Sequence, residues 1–224
     1  MPISNDKNTK PVASARPAAE TAVQAAVDVI RNGGVLVYPT ETLYAVGCDA
    51  FRPEAAARVA EIKGRPEHKP LPVVVGGLEA LALLTDDLPP DLERLARRFW
   101  PGPLSILVRA RRELPLGVRD AAGFVSVRWT AHPLAAELCR RAAPVLVATS
   151  ANRSGHPAAA VPDELDPALL RGVDTALLER PWPAGGEPST VIRNVAPGRV
   201  EILRHGAISA AALAELLTVL PDPA

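Results

Sequence analysis

Two lysines flank an arginine in the segment Lys63–Lys69, which also contains glycine and proline. The chain has 25 Lys+Arg residues, yet its other lysines, Lys7 and Lys10, both lie near the N-terminus. Lysine presents a compact ammonium and arginine a planar fork, so the two are not equivalent ligands. Their mixture around Arg65 suits an anion with several oxygens, such as a polyphosphate. A solvated basic turn after a helix explains the same segment equally well.

Small hydroxyl and amide side chains follow two predicted strands. In Pro39–Tyr44, Thr40 and Thr42 point to one side of an extended backbone and Glu41 to the other. The segment Ser150–Gly155 offers hydroxyl, amide and backbone N–H groups on one loop, and such loops can hold phosphate or carboxylate oxygens. It matches neither a P-loop nor a nucleophile elbow. Taken alone, neither segment distinguishes a binding loop from a polar turn.

Two arginines are predicted to end strands. Arg128 follows an apolar strand, where its guanidinium suits a bidentate contact with a carboxylate, although a plain surface arginine is equally consistent with the sequence. Ser189, Thr190 and Arg204 also lie at strand ends, which is where open α/β sheets bind ligands. Taken separately, these three are better explained by structural roles.

Hydrophobic periodicity predicts the elements that position these residues. Helical segments are predicted from Ala18 to the glycines at 33–34, from Pro53 to Ile62, and over residues 78–83, 91–99, 133–141 and 209–219, the last capped by Ser209. Strands are predicted over residues 35–38, 71–75, 104–109, 124–128, 145–148, 175–178, 190–192 and 200–203. The alternation of helices and strands indicates an α/β fold. The late strands lack long helices between them, so the sheet should be mixed.

The composition limits the class of protein. The hydrophobic fraction is 48% and the aromatic fraction 4%, so alanine, valine and leucine must build the core. The 25 Lys+Arg residues are balanced by 25 Asp+Glu, which argues against a general polyanion-binding surface and still permits a local basic patch. Cys48 and Cys139 have no metal-site spacing and are expected to be small core residues.

One folded domain is expected. Residues 1–16 are polar and without periodicity, which predicts a disordered tail, and residues 17–220 should form the domain. The N-terminus does not resemble a signal peptide, and no apolar stretch reaches the length of a membrane span. A cytoplasmic location is therefore expected.

Read in order, the motifs resemble those of a known family. They are Pro-Thr-Glu-Thr-x-Tyr, Lys-x-Arg-Pro with a following Lys-Pro-Leu, Trp-Pro-Gly-Pro-Leu, Val-x-Val-Arg, Ser-Ala-Asn-x-Ser-Gly, Ser-Thr-Val and Leu-Arg-x-Gly. This series resembles the threonylcarbamoyl-AMP synthase family, also called the YrdC-like domain, from about Ala19 to Ser209. The resemblance implies its short, single-domain branch, with a twisted mixed sheet flanked by helices around a large concave cavity lined by positive charge.

The resemblance also implies a reaction. Members of the family join L-threonine, bicarbonate and ATP, accompanied by Mg²⁺, into threonylcarbamoyl-adenylate and release pyrophosphate. A downstream tRNA-modifying transferase complex uses that product to make N6-threonylcarbamoyladenosine in tRNA. A carbamate oxygen of threonine attacks the α-phosphorus, so no side-chain nucleophile is needed and no general base is assigned. Direct tRNA binding by this chain is left open.

By resemblance, two sets of residues are implied at the site. The ATP set is Lys63, Arg65, Lys69, Asn152 and Arg204. The threonine set is Thr42, Arg128, Ser150, Ser189 and Thr190, with Arg128 on the carboxylate. No protein side chain is assigned to a metal ion.

The sequence departs from the family pattern in places, and two other functions are open. Ala158–Ala160 stand where hydroxyl residues are frequent in the family, which puts one nucleotide contact in doubt, and Val74 stands where a polar residue is sometimes found. One alternative function is a non-catalytic RNA-binding module of the same fold. The other is an enzyme handling carbamoyl-adenylate, like the related domain of hydrogenase-maturation carbamoyltransferases.

Overall fold

A computed structural model describes residues 15–66 and 69–220 of the 224-residue chain. The predicted tail, residues 1–16, lies outside the described residues except for its last two, which belong to the first helix. That helix begins three residues before the expected start. None of the described helices is long and apolar enough to cross a membrane.

The described residues form short helices between short strands. The α-helices are α1 (Ala15–Arg31), α2 (Pro53–Lys63), α3 (Pro90–Phe99), α4 (Pro133–Arg141), α5 (Pro167–Leu170) and α6 (Ala210–Ala214), with 3₁₀ turns at Leu78–Leu83 and Pro162–Glu164. The strands are β1 (Leu36–Pro39), β2 (Tyr44–Gly47), β3 (Val73–Val75), β4 (Leu104–Arg109), β5 (Phe124–Trp129), β6 (Val145–Val147), β7 (Thr149–Ser150), β8 (Thr175–Ala176), β9 (Thr190–Ala196), β10 (Arg199–Arg204) and β11 (Thr218–Val219).

The strands form two sheets, and both are mixed. The smaller sheet has the order β7-β2-β1-β8, and the larger has the order β11-β10-β9-β4-β5-β3-β6. In the smaller sheet β1 is antiparallel to β2 and parallel to β8. In the larger sheet β4 is antiparallel to β5 and parallel to β9. The predicted mixed α/β fold is confirmed, while its division into two sheets was not foreseen.

Several elements differ from the sequence prediction, among them β2 and the terminal helix. The segment Tyr44–Gly47 was not predicted as a strand, yet it is fully buried β2 and pairs with β1. The terminal helix was predicted to reach Val219 but ends at Ala214, although Ser209 caps it by accepting a hydrogen bond from Ala212 N at 3.2 Å. Residues 218–219 instead pair with the edge of β10, because that open edge offers backbone groups that a strand can satisfy.

The two sheets meet at a point of close backbone contact. A Cβ atom on Gly47 of β2 would lie 1.7 Å from the carbonyl oxygen of Val147 in β6. Tyr38 of β1 donates a hydrogen bond from its hydroxyl to that same oxygen at 2.7 Å. The contact therefore fixes β1 and β2 against one edge of the larger sheet.

Both cysteines, Cys48 and Cys139, are buried and unpaired, as predicted.

Candidate functional site

A cavity of about 600 Å³ is lined by residues from both sheets. This volume lies within the range of roughly 300–1,000 Å³ that small-molecule sites occupy. The lining consists of Thr40, Thr42, Leu43, Tyr44, Ala45, Arg65, Lys69, Pro70, Pro72, Val73, Val74, Ser105, Leu107, Ser126, Arg128, Ala148, Thr149, Ser150, Pro188, Ser189, Val191, Leu203 and Arg204.

The floor of the cavity is one face of the larger sheet. Side chains alternate between the two faces of a strand, so Ser126 and Arg128 of β5 line the cavity while Val125 and Val127 are buried in the core. Neighbouring strands continue this face through three registered pairs. These are Val74 with Arg128, Leu107 with Ser126, and Ser105 with Val191.

Four cationic side chains line the cavity, and none of the described residues lining it is acidic. They are Arg65, Lys69, Arg128 and Arg204. Burial lowers the pKa of Arg204, and the charges of Arg128 and Arg65 lower it further. The positive charges of the three guanidinium groups therefore repel one another across the cavity, which favours an anionic ligand between them.

Arg65 is fixed by its own loop. Its Nε donates to the carbonyl oxygen of Lys69 at 2.9 Å and its Nη2 donates to that of Pro70 at 2.8 Å. Burial lowers the pKa of Arg65. These bonds hold the guanidinium at the rim of the cavity; Glu67 and His68, between Arg65 and Lys69, lie outside the described residues.

Arg204 is fixed by Ser189, the residue immediately before β9. Its Nε and Nη2 donate to Ser189 O at 3.1 and 2.7 Å, and Nη2 also donates to Ser189 Oγ at 2.8 Å. The Oγ atoms of Ser189 and Ser105 are 2.9 Å apart. Two hydroxyls and one guanidinium thus form a connected hydrogen-bonded chain along one wall.

Arg128 is held from behind by Glu41. Its Nη1 lies 2.8 Å from Glu41 Oε1, a charge contact without an aligned hydrogen bond, and 3.5 Å from Thr42 Oγ1. Thr130 Oγ1 donates to the other carboxylate oxygen at 2.7 Å. Glu41 itself is outside the cavity lining. All the ion pairs and hydrogen bonds of Arg128 with described residues use Nη1, so its other N–H groups remain available to a ligand.

Lys63 ends α2 and is 3% exposed, yet it does not line the cavity. Its Nζ donates to the carbonyl oxygen of Ser150, to Asn152 O at 2.6 Å and to Asn152 Oδ1 at 3.3 Å. An ammonium group has three N–H donors, so the loop occupies all of them. Burial lowers the pKa of Lys63 to about 8, with a smaller contribution from the charge of Arg65.

Two more of the implied residues have their polar groups engaged elsewhere. Asn152 accepts from Ser150 Oγ at 2.6 Å and donates to the carbonyl oxygen of His156. Thr190 is fully buried; its Oγ1 donates to Ile208 O at 2.7 Å and accepts from Ile208 N at 2.9 Å. Both residues therefore shape the walls rather than line the cavity.

The structure brings together most of the residues implied by the sequence. From the ATP set, Arg65, Lys69 and Arg204 line the cavity, and Lys63 and Asn152 do not. From the threonine set, Thr42, Arg128, Ser150 and Ser189 line it, and Thr190 does not. The contacts of these residues with substrates remain predictions.

The alanine segment 158–160 acts through its backbone. Tyr44 N donates to Ala159 O at 2.8 Å, and Ala160 N donates to Glu164 Oε2 at 2.7 Å. The segment thereby closes one end of β2 without side-chain hydroxyls.

Several lining residues were not assigned to the site from the sequence. Ser105 and Ser126 are the polar ones on the sheet floor. Alternation offered a signal for Ser126, because it lies two residues before Arg128 on the same strand. Ser105 could be found only through the pairing of β4 with β9, which no local pattern encodes.

Comparison with known proteins gives consistent results. The Sua5/YciO/YrdC family model, described as telomere recombination, matches residues 28–206. A protein of Pseudomonas aeruginosa named threonylcarbamoyl-AMP synthase is 40% identical over 179 residues, covering 70% of this chain and 96% of the relative. A Mycobacterium tuberculosis protein named putative threonylcarbamoyl-AMP synthase is 34% identical over 197 residues, covering 88% of this chain and 89% of the relative.

A solved structure agrees with these relatives. The crystal structure of P. abyssi Sua5 complexed with L-threonine superposes with a TM-score of 0.79 at 28% identity. The match covers 89% of this chain and 59% of the P. abyssi protein. The matched family model, the named relatives and the superposed fold all point to one assignment: the chain belongs to the Sua5/YciO/YrdC family.

Proposed function

We propose that the protein is an L-threonylcarbamoyladenylate synthase. It converts L-threonine, bicarbonate and ATP into threonylcarbamoyl-AMP and pyrophosphate. Relatives named threonylcarbamoyl-AMP synthase support the activity, and the L-threonine bound to P. abyssi Sua5 supports the amino-acid substrate.

The observation that carries this proposal is the arrangement of charge and hydroxyls in one cavity. Arg65, Lys69 and Arg204 offer cationic groups for a polyphosphate. Arg128, with free N–H groups beside Thr42, offers a site for a carboxylate. An enzyme that joins an amino acid to a nucleotide needs both sites within reach of each other.

In this proposal each set of residues binds one substrate. Arg65, Lys69 and Arg204 bind the phosphates of ATP, while Lys63 and Asn152 hold the loop that presents Ser150. Arg128 binds the threonine carboxylate, with Thr42, Ser150 and Ser189 around the rest of the amino acid. Thr190 positions Ser189 through its two hydrogen bonds with Ile208.

The proposed reaction depends on positioned substrates and fixed positive charges more than on a reactive side chain. The threonine amine combines with bicarbonate to give a carbamate and water. A carbamate oxygen attacks the α-phosphorus of ATP, the new O–P bond forms, and the bond to the β-phosphate oxygen breaks to release pyrophosphate. Fixed cations offset the charge that builds on the leaving group. Held reactants also avoid the entropic cost of meeting in solution.

Mg²⁺ is proposed to enter as part of the MgATP substrate. No group of three or more His, Cys, Asp or Glu among the described residues is arranged to hold a metal ion. The described cavity lining also lacks a carboxylate, and oxygen ligands are what Mg²⁺ prefers. The lining therefore does not fit a resident metal, and phosphate oxygens are its natural ligands here.

The product is an activated acyl donor, so a second enzyme must consume it. We propose that this enzyme is the transferase complex that modifies adenosine in tRNA, and that both act in the cytoplasm. An RNA-binding module without catalysis is less well supported, because the cationic groups face a small-molecule cavity next to a carboxylate-type site rather than an open surface. Few aromatic side chains are available for base stacking, since the aromatic fraction is 4%.

The proposal is tested by measuring pyrophosphate release. The purified protein with ATP, Mg²⁺, bicarbonate and L-threonine should release pyrophosphate, and leaving out threonine or bicarbonate should stop the release. Arg128→Lys, which keeps a positive charge beside Glu41 but removes the planar fork that suits a carboxylate, should raise the threonine KM about tenfold. Arg171→Met, which removes an exposed cation outside the lining, should leave both substrates unaffected.

Two outcomes would contradict the proposal. Turnover that continues without threonine would indicate a different carbamoyl-adenylate chemistry. No turnover with any amino acid, together with tight RNA binding, would indicate the non-catalytic module.

A further inference from the structure

Thr130 lies directly after β5, is 1% exposed and is outside the cavity lining. Its Oγ1 donates a hydrogen bond of 2.7 Å to Glu41 Oε2, which is 89 positions away in the sequence. The other oxygen of the same carboxylate, Oε1, lies 2.8 Å from Arg128 Nη1. Because a carboxylate is planar, the bond from Thr130 also fixes the direction in which Oε1 faces the guanidinium.

The contact between Glu41 and Arg128 does not set its own geometry. Oε1 of Glu41 has no hydrogen-bond partner among the described residues. The pair is therefore held by charge attraction, whose strength depends on distance. A hydrogen bond, in contrast, weakens steeply when its donor is misaligned. The directional part of the arrangement thus comes from Thr130.

The hydroxyl of Thr130 is itself directed. His132 N donates to Thr130 Oγ1 at 3.2 Å, and a hydroxyl has only one hydrogen to donate. That hydrogen goes to Glu41. The backbone of this link between β5 and α4 is held from two sides, because Thr130 N donates to Val75 O at 3.1 Å, and His132 Nε2 and Pro181 O are 3.0 Å apart. Thr130 is therefore a fixed point against which the carboxylate is oriented.

A second buried threonine shows what a purely local role looks like. Thr85 Oγ1 donates to Asp87 O at 2.9 Å and accepts from Asp87 N at 3.3 Å, so both of its bonds stay within one turn. Thr130 likewise accepts from the N–H two positions on, but its donated bond goes to a carboxylate in a distant segment. The bond to Glu41 adds nothing to the local turn, and its effect is on the carboxylate.

We propose that Thr130 is a positioning residue for the amino-acid substrate. It orients the Glu41 carboxylate, which fixes Nη1 of Arg128 and leaves the remaining N–H groups of Arg128 aligned for the substrate carboxylate. Thr130 itself touches no substrate. This assignment rests on the proposed function and names the group that sets the affinity of its carboxylate site.

The test compares Thr130→Val and Thr130→Ser with the wild type by pyrophosphate release. Valine keeps the shape of threonine without the hydroxyl, whereas serine keeps the hydroxyl. Thr130→Val should raise the KM for L-threonine about tenfold, because a bidentate contact loses affinity when its fork is misaligned. The KM for ATP should change less than about twofold, because Arg65 and Arg204 are held by other groups. Thr130→Ser should stay within about threefold of the wild type for both substrates.

A double variant tests whether Thr130 acts through Arg128. The lysine of Arg128→Lys has no planar fork to align. Adding Thr130→Val to Arg128→Lys should therefore raise the threonine KM less than about threefold beyond the single variant. A further increase of about tenfold would mean that the two residues act independently, and would overturn the proposal.

Thr85→Val is the matched control for stability. It removes a buried hydroxyl that donates one bond and accepts another, outside the cavity lining. Both valine variants should unfold at a lower temperature than the wild type, because each leaves buried polar groups unpaired. Thr85→Val should nevertheless leave both KM values unchanged. If Thr130→Val raises the KM of ATP as much as that of threonine, or if Thr85→Val raises the threonine KM equally, Thr130 has a structural role only.

Failure of the proposed function gives a different result. If the wild type releases no pyrophosphate with any amino acid, that function fails, and calorimetric binding of L-threonine decides the role of Thr130. Weaker binding by Thr130→Val, with unchanged binding by Thr85→Val, would support the role. Equal binding by wild type and Thr130→Val, or no binding by the wild type, would overturn it.

Discussion

Arg128 and Glu41 form a buried ion pair at the edge of the cavity. Their side chains are 7% and 12% exposed, so both charges have lost much of their hydration. A pair of this kind is costly to assemble and costly to break, because removing one partner leaves the other charge uncompensated. Glu41 therefore orients Arg128 and balances its charge, while the Glu41 carboxylate stays out of the cavity lining.

Glu41→Gln should therefore destabilise the protein strongly. We expect the free energy of unfolding to fall by about 3 kcal/mol, because the buried Arg128 loses its counter-charge. Glu93→Gln breaks the exposed ion pair with Arg97 and should cost less than about 1 kcal/mol. Denaturant unfolding of both variants measures the difference, and equal losses would mean that solvent already screens the Arg128–Glu41 pair.

The roles of individual residues were only partly predictable. Thr42 and Arg128 could be foreseen because alternation and strand ends place them on a ligand-facing edge. The three implied residues outside the lining are Lys63, Asn152 and Thr190. Lys63 bonds to groups up to 89 positions away in the sequence, and Thr190 bonds to a residue 18 positions away. No local pattern in the sequence states which way such side chains turn.

At the scale of elements, one side chain ties α2 to the loop after β7. Gly64, with φ of 56°, ends α2 in the left-handed region that favours glycine. Lys63 is thereby left at the last turn, with its ammonium among the carbonyl oxygens of Ser150 and Asn152. A loop that must present Ser150 to the cavity is thus braced by a helix end.

This brace should make stability depend on alkaline pH. The pKa of Lys63 is about 8 in the folded protein and about 10.4 in an unfolded chain. Between these values the unfolded chain holds a proton that the folded protein has released, so stability rises with pH. The difference in unfolding free energy between wild type and Lys63→Met should increase from pH 8 to pH 10 by at most about 2.5 kcal/mol.

Comparing the two proteins removes the effects of other groups that titrate in the same range. Arg171→Met, an exposed cation, serves as the control and should show no pH-dependent difference from the wild type. If the difference in unfolding free energy between wild type and Lys63→Met also does not change with pH, the carbonyl oxygens around the Lys63 amine fully offset the effect of burial on its pKa.

The elements themselves were predicted where the sequence pattern is local. Helices α2 and α4 begin with proline and strands β3, β4 and β5 are apolar or alternating, so all five were predicted close to their bounds. The short strands β2, β7 and β11 were missed. Each exists because a partner strand offers unpaired backbone groups, as β10 does for β11, and such pairing across the chain leaves no periodic signal.

At the scale of the whole molecule, the cavity concentrates positive charge in a protein of zero formal net charge. Burial lowers the pKa of Arg204 and the charges of Arg128 and Arg65 lower it further, which means that these cations repel one another across the cavity. An anion bound between these groups removes this repulsion. Ligand binding should therefore stabilise the fold more than contact area alone predicts.

Pyrophosphate should raise the unfolding temperature of the wild type without any other substrate. At a concentration one hundred times its Kd, a ligand that binds only the folded state adds about 2.7 kcal/mol, which corresponds to roughly 5–10 °C for a domain of this size. Lys69→Ala should reduce this increase, because it removes one exposed cation from the lining. Differential scanning fluorimetry gives both values.

Arg171→Ala removes a cation outside the lining and should show the full increase. If pyrophosphate raises the unfolding temperature of wild type and Lys69→Ala equally, it binds outside the part of the cavity that Lys69 lines. High salt should diminish the effect, because it screens exposed charges.

The contact between Gly47 and the Val147 carbonyl has a consequence for how this site can change during evolution. The strands on either side of that contact lead directly into residues that line the cavity, Tyr44 and Ala45 on one side and Ala148 on the other. A methyl group at position 47 would collide with main chain, which cannot move aside as a flexible side chain can. Only a hydrogen atom fits between the two strands at this position, so any substitution of Gly47 would force them apart, whereas substitutions among the lining side chains leave the separation of the two walls unchanged.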